Sequence, residues 1–168
     1  MTNSTPELAE SECILVIGSN TMEAHPLVAA HILRAVERGA RLIVIDPRHV
    51  PMARLGTMHL PLAPGTDIAV LNGLMHVILD EGLEDRAFVA ERTEGFEALA
   101  ASLAPYTPEY VESLSGVPAD DLRAAARAYA QSGRSAIVYA MGITQHTTGT
   151  DNVLACANLA TLTGNIGR

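Results

Sequence analysis

Short continuous apolar runs alternate along this chain with segments in which apolar residues recur at helical spacing. Cys13 to Ile17 (CILVI) and Leu42 to Ile45 (LIVI) end in polar turns, which predicts two buried strands. Between them, Pro26 to Arg38 carries apolar residues three and four positions apart, which predicts a helix ended by Gly39. A strand, a helix and a strand in this order are typical of a parallel sheet covered on both faces.

The rest of the chain continues the pattern. Met58 to Leu62 predicts a weaker strand, with Pro61 at its end or at the sheet edge. Ile68 to Asp80 predicts a helix capped by Thr66 or Asp67. Further expected elements are helical segments over 84–104, a proline-punctuated stretch over 104–118, a helix over 119–131, a strand over 135–140 and a helix over 152–162. The sequence therefore predicts one α/β domain, residues 1–168, built on a Rossmann-like parallel sheet with helices on both faces.

Composition and charge narrow the class of protein. A length of 168 residues with 48% hydrophobic residues suits a single domain with its own core. The formal net charge of −8 speaks against nucleic-acid or anionic-membrane surfaces. No apolar run approaches the roughly 20 residues that span a bilayer, and Met1 to Glu12 lacks the features of a signal peptide. We expect a cytoplasmic protein that binds no nucleic acid and does not insert into membranes.

Two kinds of catalytic site find no support in the sequence. Cys13 and Cys156 form no CxxC pair, so we expect buried, reduced thiols, with a disulfide only if the fold joined them. None of the six histidines has the spacing of a metal site with another histidine or a cysteine, and no GxSxG sequence supplies a hydrolase nucleophile. The sequence thus predicts no catalytic residue and no metal ligand.

Glycine and polar residues collect where the predicted strands end. Gly18-Ser19-Asn20 follows the first strand, Asp46-Pro47-Arg48 the second, Gly65-Thr66-Asp67 the third, and Met141 to Gln145 the last. Ligands of open parallel sheets bind beyond the carboxyl ends of the strands. We therefore expect a ligand site at one edge of the sheet.

Each of these turns has a chemical role available to it. A glycine-led turn can bring backbone N–H groups close to a phosphate, although GSNTME lacks the GxGxxG fingerprint of NAD sites. Asp46 could accept from ribose hydroxyls, and Arg48 could pair with phosphate or stack on a base. Asp67 could accept from the two adjacent N–H donors of guanine.

Purely structural alternatives stay open for the same residues. Gly18 to Asn20 could be only a tight turn, Asp46-Pro47 could end its strand, and Asp67 could cap its helix. Their shared position after successive strands is what favours a ligand site.

These stretches resemble the molybdopterin oxidoreductase family and, within it, the catalytic alpha subunits of formate dehydrogenases. The similarity covers nearly all 168 residues and is carried by ILVIGSNTMEAHP, LIVIDPRHVPMARLGTMHLPLAPGTDIAVLNGL, RTEGFEALA, YTPEYVESLSGV and MGITQHTTGTDNVLACANLATLTGNIGR. IDPR and PGTD are shared by many molybdopterin enzymes, nitrate reductases among them. MGITQHTTGTDN with LATLTGNIG is narrower and resembles formate dehydrogenases.

The resemblance implies a molybdenum or tungsten ion held between two molybdopterin guanine dinucleotides. It implies that residues after the first three strands hold the pyrophosphate and guanosine of one of them: Ile17, Gly18, Ser19, Asn20, Glu23, Asp46, Pro47, Arg48, His49, Gly65, Thr66 and Asp67. Met141, Gly142 and Gln145 would lie near the pterin.

Several features of the family are absent from this sequence. Longer members carry an iron–sulfur segment and a cysteine or selenocysteine metal ligand, and neither Cys13 in a strand nor Cys156 in a helix fits that role. The chain is expected to be an internal fragment, inactive alone, with the iron–sulfur cluster elsewhere in the parent chain. Its partners would be the remainder of the catalytic subunit and electron-transfer subunits. The alternatives are the same lobe of a nitrate reductase or other molybdopterin oxidoreductase, or a non-catalytic relative as in the large iron–sulfur subunit of NADH dehydrogenase.

Overall fold

Four parallel strands form the centre of the protein, in the spatial order β3-β2-β1-β4. The computed structural model describes residues 3–167. The strands are β1 (Cys13–Ile17), β2 (Arg41–Ile45), β3 (Met58–Leu60) and β4 (Ser135–Tyr139). Cys13 of β1 lies opposite Arg41 on one side and Ser135 on the other. The predicted parallel α/β sheet is thereby confirmed.

Nine α-helices occur within the described residues. They are α1 (Thr21–Ala24), α2 (Pro26–Glu37), α3 (Asp67–Asp80), α4 (Arg86–Arg92), α5 (Phe96–Leu103), α6 (Pro108–Ser115), α7 (Ala119–Ala130), α8 (Met141–Thr144) and α9 (Gly149–Leu162). Two 3-10 segments, Thr5–Glu10 and Pro51–Arg54, complete the regular structure. Over residues 3–167, no helix is both long enough and apolar enough to cross a membrane.

Both faces of the sheet are covered, which explains why β1 is apolar at every position. Successive side chains of a strand point to opposite faces. Ile14 and Val16 belong to a buried cluster with Ile32 of α2, whereas Leu15 and Ile17 belong to the larger cluster on the other face. That second cluster is completed by α3, α7 and α9. A polar residue at any position of β1 would therefore enter an apolar layer.

The order of the strands reverses beside β1. The chain passes from β1 through α2 to β2 and then to β3, always in one direction. The helices α3 to α7 then return it to β4, which lies on the opposite side of β1. In open α/β sheets such a reversal opens a crevice at the carboxyl ends of the strands. This rule places the crevice of the present sheet between the segments that follow β1 and β4.

The proline-rich stretch over 104–118 contains a helix, α6, that the sequence pattern did not predict. The hydroxyl of Thr107 accepts a hydrogen bond from the backbone N–H of Tyr110 (3.3 Å). Pro108 occupies the first turn, where its missing N–H would have no helical partner anyway. Proline therefore begins this helix and does not interrupt it.

Other element boundaries differ from the prediction by a few residues. β3 stops at Leu60, immediately before Pro61. The helical stretch predicted over 84–104 is divided before Gly95, whose φ of 74° is left-handed. The last helix begins at Gly149, three residues before the predicted Asn152. The predicted kind of each of these three elements was confirmed, and Pro61 and Gly95 mark where two of them are interrupted.

The two cysteines provide a test of the core. Cys13 and Cys156 are free and buried, and burial raises the pKa of each thiol to about 12. We expect iodoacetamide to modify neither thiol in the native protein at about pH 8, because thiolate is the reactive form, and both after denaturation. Because the folded pKa exceeds the ordinary value of about 8.5, the free energy of unfolding should fall as the pH rises from about 8.5 toward 12. Rapid native modification, read by mass spectrometry, would contradict this burial.

Candidate functional site

Two glycines meet at the position where the strand order reverses. Gly18 follows β1, Gly142 lies in α8 just after β4, and the N–H of Gly142 donates to the carbonyl oxygen of Gly18 (3.0 Å). A Cβ on Gly142 would lie 2.5 Å from that oxygen, and a Cβ on Gly18 would lie 2.7 Å from the carbonyl carbon of Gly142. Gly18 also has a φ of 56°. The approach of the two loops therefore requires glycine at both positions.

The turn after β1 presents polar groups that the protein itself does not satisfy. The N–H of Gly18 donates to the carbonyl of Ile45 (3.1 Å), but the next two N–H groups, of Ser19 and Asn20, have no acceptor within residues 3–167. The side-chain oxygen of Asn20 is buried and also has no partner there. The hydroxyls of Ser19 and Thr21 are hydrogen-bonded to each other (2.8 Å), which holds the Ser19 side chain inside the turn. Buried polar groups normally have partners, which makes this turn suited to a polar ligand.

Asp46 follows β2 and is 3% exposed. Its Oδ1 accepts from the backbone N–H of Arg48 (2.9 Å) and lies 3.5 Å from Nε of the same residue. Its Oδ2 has no hydrogen-bond partner in the described part of the chain and can accept from a ligand. The Arg48 side chain is 70% exposed, so its terminal amino groups remain able to reach an anion. The aspartate therefore does more than end its strand.

His59 of β3 contacts the same turn, and sequence reasoning did not identify it. Its Nε2 lies 3.0 Å from the carbonyl oxygen of Asp46. The ring of His49 packs against its ring edge to face, with centroids 5.1 Å apart. The only sequence signal was a histidine within a strand, which is compatible with many structural roles.

Neither residue predicted to cap α3 makes a capping bond. Thr66 has a backbone of φ −104° and ψ 15°, which is not the extended conformation of a capping residue. Its hydroxyl donates instead to the carbonyl of Ala63 (2.6 Å). Thr66 occupies the predicted N-cap position of α3 but makes no side-chain capping bond, and Asp67 is the first residue inside the helix. Gly65, with a φ of 87°, turns the chain into this helix.

The Asp67 carboxyl group is in an unusual environment. It is 7% exposed, and this burial raises its pKa above the ordinary range. Its own backbone N–H and the charge of His146 act in the opposite direction, while the charge of Asp46 raises the pKa further. The loops after β2, β3 and β4 are therefore close enough for their charges to interact.

Hydrogen bonds hold the segment after β4 in place. Nε2 of His146 lies 2.7 Å from the carbonyl oxygen of Gly142. The buried amide of Asn152 donates from Nδ2 to the carbonyl of Ile143 (2.9 Å). The polar residues of MGITQHTTGTDN thus include two that shape their own loop, and neither was predicted as a site residue.

The two remaining predicted site residues of this segment, Met141 and Gln145, are exposed. Met141 is 64% exposed, and the Gln145 side chain is exposed as well. Gly149 lies so close to the carbonyl oxygen of Thr144 that a Cβ has no room. This glycine lets α9 begin immediately behind the loop.

The remaining predicted site residues make no side-chain hydrogen bond to other described residues of the site. The side chain of Ile17 is buried in the core, so it can offer a ligand only its backbone. Glu23 in α1, Pro47 and His49 are exposed. No group of three or more His, Cys, Asp or Glu side chains within 3–167 is arranged to hold a metal ion.

The profile of the molybdopterin oxidoreductase family matches residues 1–168, and the chain belongs to this family. It is 50% identical over its full length to F420-dependent formate dehydrogenase 1 subunit alpha of Methanococcus maripaludis, and 45% identical to formate dehydrogenase H of Escherichia coli. The chain spans 25% and 24% of these relatives. Nitrate reductases match at 33% to 39% identity.

A solved structure shares the fold. Acetylene hydratase from Pelobacter acetylenicus superimposes with a TM-score of 0.88 at 29% identity, over 98% of this chain and 24% of that protein. The family implies a molybdopterin cofactor. The unsatisfied N–H groups of Ser19 and Asn20, the buried oxygen of Asn20 and the bare Gly18–Gly142 approach fit a large polar ligand of that kind.

The glycine contact can be tested by substitution. Alanine normally stabilises a helix relative to glycine, yet we expect Gly142→Ala to lower the free energy of unfolding by about 1–3 kcal/mol, because its Cβ would overlap Gly18. Gly133→Ala is the control, since its Cβ would meet only the flexible Glu12 carboxylate at 3.2 Å. Urea denaturation of both variants provides the measurement. Equal stability of the two variants would show that the loops do not approach so closely.

Burial of Asp67 also predicts a change in stability. A carboxyl group whose folded pKa is raised contributes stability below its unfolded pKa of about 4 and loses it as the pH rises through the folded value. We therefore expect Asp67→Asn to raise the melting temperature of the ligand-free protein at pH 7, and the increase to shrink near pH 4. Asp80→Asn, at the exposed end of α3, should change it little. A lower melting temperature for Asp67→Asn at pH 7 would contradict the assigned environment.

Proposed function

We propose that this chain is one nucleotide-binding lobe of a formate dehydrogenase catalytic subunit and that it holds one molybdopterin guanine dinucleotide. The observation that carries the proposal is the convergence of the Gly18 turn, Asp46 and Asp67 at the carboxyl edge of the sheet of a family member. In the parent enzyme, formate would be oxidised to CO2 at molybdenum or tungsten held between two such dinucleotides. This lobe contributes binding groups and no catalytic residue.

The pyrophosphate is assigned to the turn after β1. The free N–H groups of Ser19 and Asn20 point to an anion, as successive unpaired backbone donors do in phosphate-binding loops. Arg48 adds a positive charge, and its ion pair with Asp46 holds the base of its guanidinium group beside the turn after β2. Ile17, Gly18 and Glu23 frame the turn and supply its shape.

The guanosine is assigned to the two buried aspartates. Oδ2 of Asp46 accepts from the ribose, with Pro47 and His49 beside it. Asp67 accepts from the ring N–H and the amino group of guanine, and Gly65 and Thr66 form the turn that carries it into the site. A buried carboxylate needs such donors, because burial without a partner is costly.

The pterin is assigned to the segment after β4. Met141 is exposed at this edge, the backbone of Gly142 lies against the Gly18 turn, and the Gln145 amide can donate and accept. His146 and Asn152 hold this segment and are assigned no direct contact.

Formate is favoured over nitrate as the substrate of the parent enzyme for two reasons. Full-length identity to formate dehydrogenases is higher than to nitrate reductases, and MGITQHTTGTDN resembles the former more narrowly. The unsatisfied polar groups at the crevice argue against a relative that has lost its cofactor. An iron–sulfur cluster and electron-transfer subunits belong to the remainder of the parent enzyme, and its location is assigned to the cytoplasm, where two free buried thiols stay reduced.

Nucleotide titration tests the site directly. We expect GDP to bind the 168-residue chain better than ADP, because adenine presents a lone pair where guanine presents a ring N–H. Asp67→Asn should erase most of this preference, a loss of about 1–3 kcal/mol. Asp80→Asn, on the same helix but exposed, should leave it unchanged. Equal calorimetric affinities for GDP and ADP in the unmodified chain would contradict the assignment.

The parent reaction requires the full-length enzyme. We expect the purified parent protein to contain molybdenum or tungsten and to reduce a dye with formate, whereas the 168-residue chain alone should not. Elemental analysis followed by formate and nitrate assays separates the alternatives. Nitrate-dependent dye oxidation without formate activity would identify nitrate, and not formate, as the substrate of the parent enzyme. Absence of both molybdenum and tungsten would favour the non-catalytic relative.

A further inference from the structure

We propose that His59 is a positioning residue that holds the Asp46 turn and thereby controls how tightly the site binds the ribose. The inference rests on the proposed function, because it assigns a nucleotide ribose to Asp46. Sequence patterns give no reason to single out His59, and the argument comes from its contacts.

The contact between the two residues determines where the proton of His59 lies. Its Nε2 is 3.0 Å from the carbonyl oxygen of Asp46. A carbonyl oxygen can only accept, so Nε2 must carry the hydrogen, and the neutral ring must be the Nε2–H tautomer. This follows from chemistry alone and can be measured without any ligand.

The carbonyl of Asp46 has no other support from the sheet. β2 ends at Ile45, and Ile45 is its last residue paired with β3, opposite Leu60. No backbone N–H of the described residues donates to the Asp46 carbonyl, since it lies just beyond the ladder. The His59 side chain, from the neighbouring strand, supplies the missing donor. It therefore fixes the backbone at the residue whose carboxylate faces the crevice.

Two further contacts complete the arrangement. The N–H of Arg48 donates to Oδ1 of Asp46 (2.9 Å), which closes a local turn and leaves Oδ2 free. The ring of His49 meets that of His59 at an angle of 83°, which limits rotation of the His59 ring. Asp46 is thus held through its carbonyl by His59 and through one carboxylate oxygen by Arg48, so that the other oxygen can be directed at a ribose hydroxyl.

The test compares GDP with dideoxy-GDP, which lacks both ribose hydroxyls. We expect His59→Phe, which keeps a ring against His49 but removes the donor, to weaken GDP binding about threefold to tenfold and to leave dideoxy-GDP binding unchanged. His59→Gln should restore most of the GDP affinity, because its amide nitrogen can reach the position of Nε2. In an Asp46→Asn background, His59→Phe should add little, since the two residues act on the same hydroxyls.

The outcomes separate this inference from the proposed function. Equal weakening of both nucleotides by His59→Phe would mean a general structural role and would overturn the inference. Equal binding of GDP and dideoxy-GDP by the unmodified chain would also overturn it, while a preference for GDP over ADP would still support the proposed function. If no nucleotide bound at all, both the inference about His59 and the proposed function would be contradicted.

A second measurement does not depend on a folded variant. Nitrogen-15 NMR of the unmodified chain should show His59 as the Nε2–H tautomer at neutral or higher pH. Observation of the Nδ1–H tautomer would remove the hydrogen bond on which the proposal depends.

Discussion

The backbone contact between Gly18 and Gly142 is the constraint on which the rest of the site depends. It joins the loops on the two sides of the strand-order reversal by an N–H to carbonyl bond, at a distance that leaves no room for a side chain on either residue. The carbonyl of Gly18 accepts from Gly142, and its N–H donates to the carbonyl of Ile45. The next unpaired donors along the described chain are therefore the N–H groups of Ser19 and Asn20. The contact thus joins the segments after β1 and β4 and, within residues 3–167, leaves the N–H groups of Ser19 and Asn20 as the first unpaired donors beyond β1.

Two buried carboxylates give the site its electrostatic character. Asp46 and Asp67 come from different loops, and each is nearly inaccessible to water without a ligand. Removal of a carboxylate from water is unfavourable for folding, and the raised pKa of Asp67 reflects this desolvation first and the charge of Asp46 second. Arg48 and His146 offset part of this cost from the exposed side. Functional sites often retain such unfavourable groups, because the binding of a ligand with matching donors relieves them.

The site also separates residues that face the crevice from residues that hold them. His59, Asn152 and Gly149 belong to the second group: a ring bonds the Asp46 carbonyl, an amide bonds the Ile143 carbonyl, and a bare Cα allows α9 to start behind its loop. Loops beyond the last paired residues of a sheet lack ladder hydrogen bonds. Side-chain donors from neighbouring elements take the place of those bonds and keep the loops in one conformation.

The sequence by itself determined the class of fold and the sheet edge at which its polar turns collect. Short continuous apolar runs bounded by turn residues are typical of strands covered on both faces, and polar turns after such parallel strands meet at one edge of the sheet. Only the tertiary structure decided that β4 lies beside β1, that Gly142 therefore contacts Gly18, that Asp67 is buried without capping its helix, and that His59 holds Asp46. The physical reason is range: periodicity and turn chemistry act over a few neighbouring residues. Burial, pKa shifts and contacts between loops depend on segments that are distant in sequence and adjacent only after the chain has crossed the sheet.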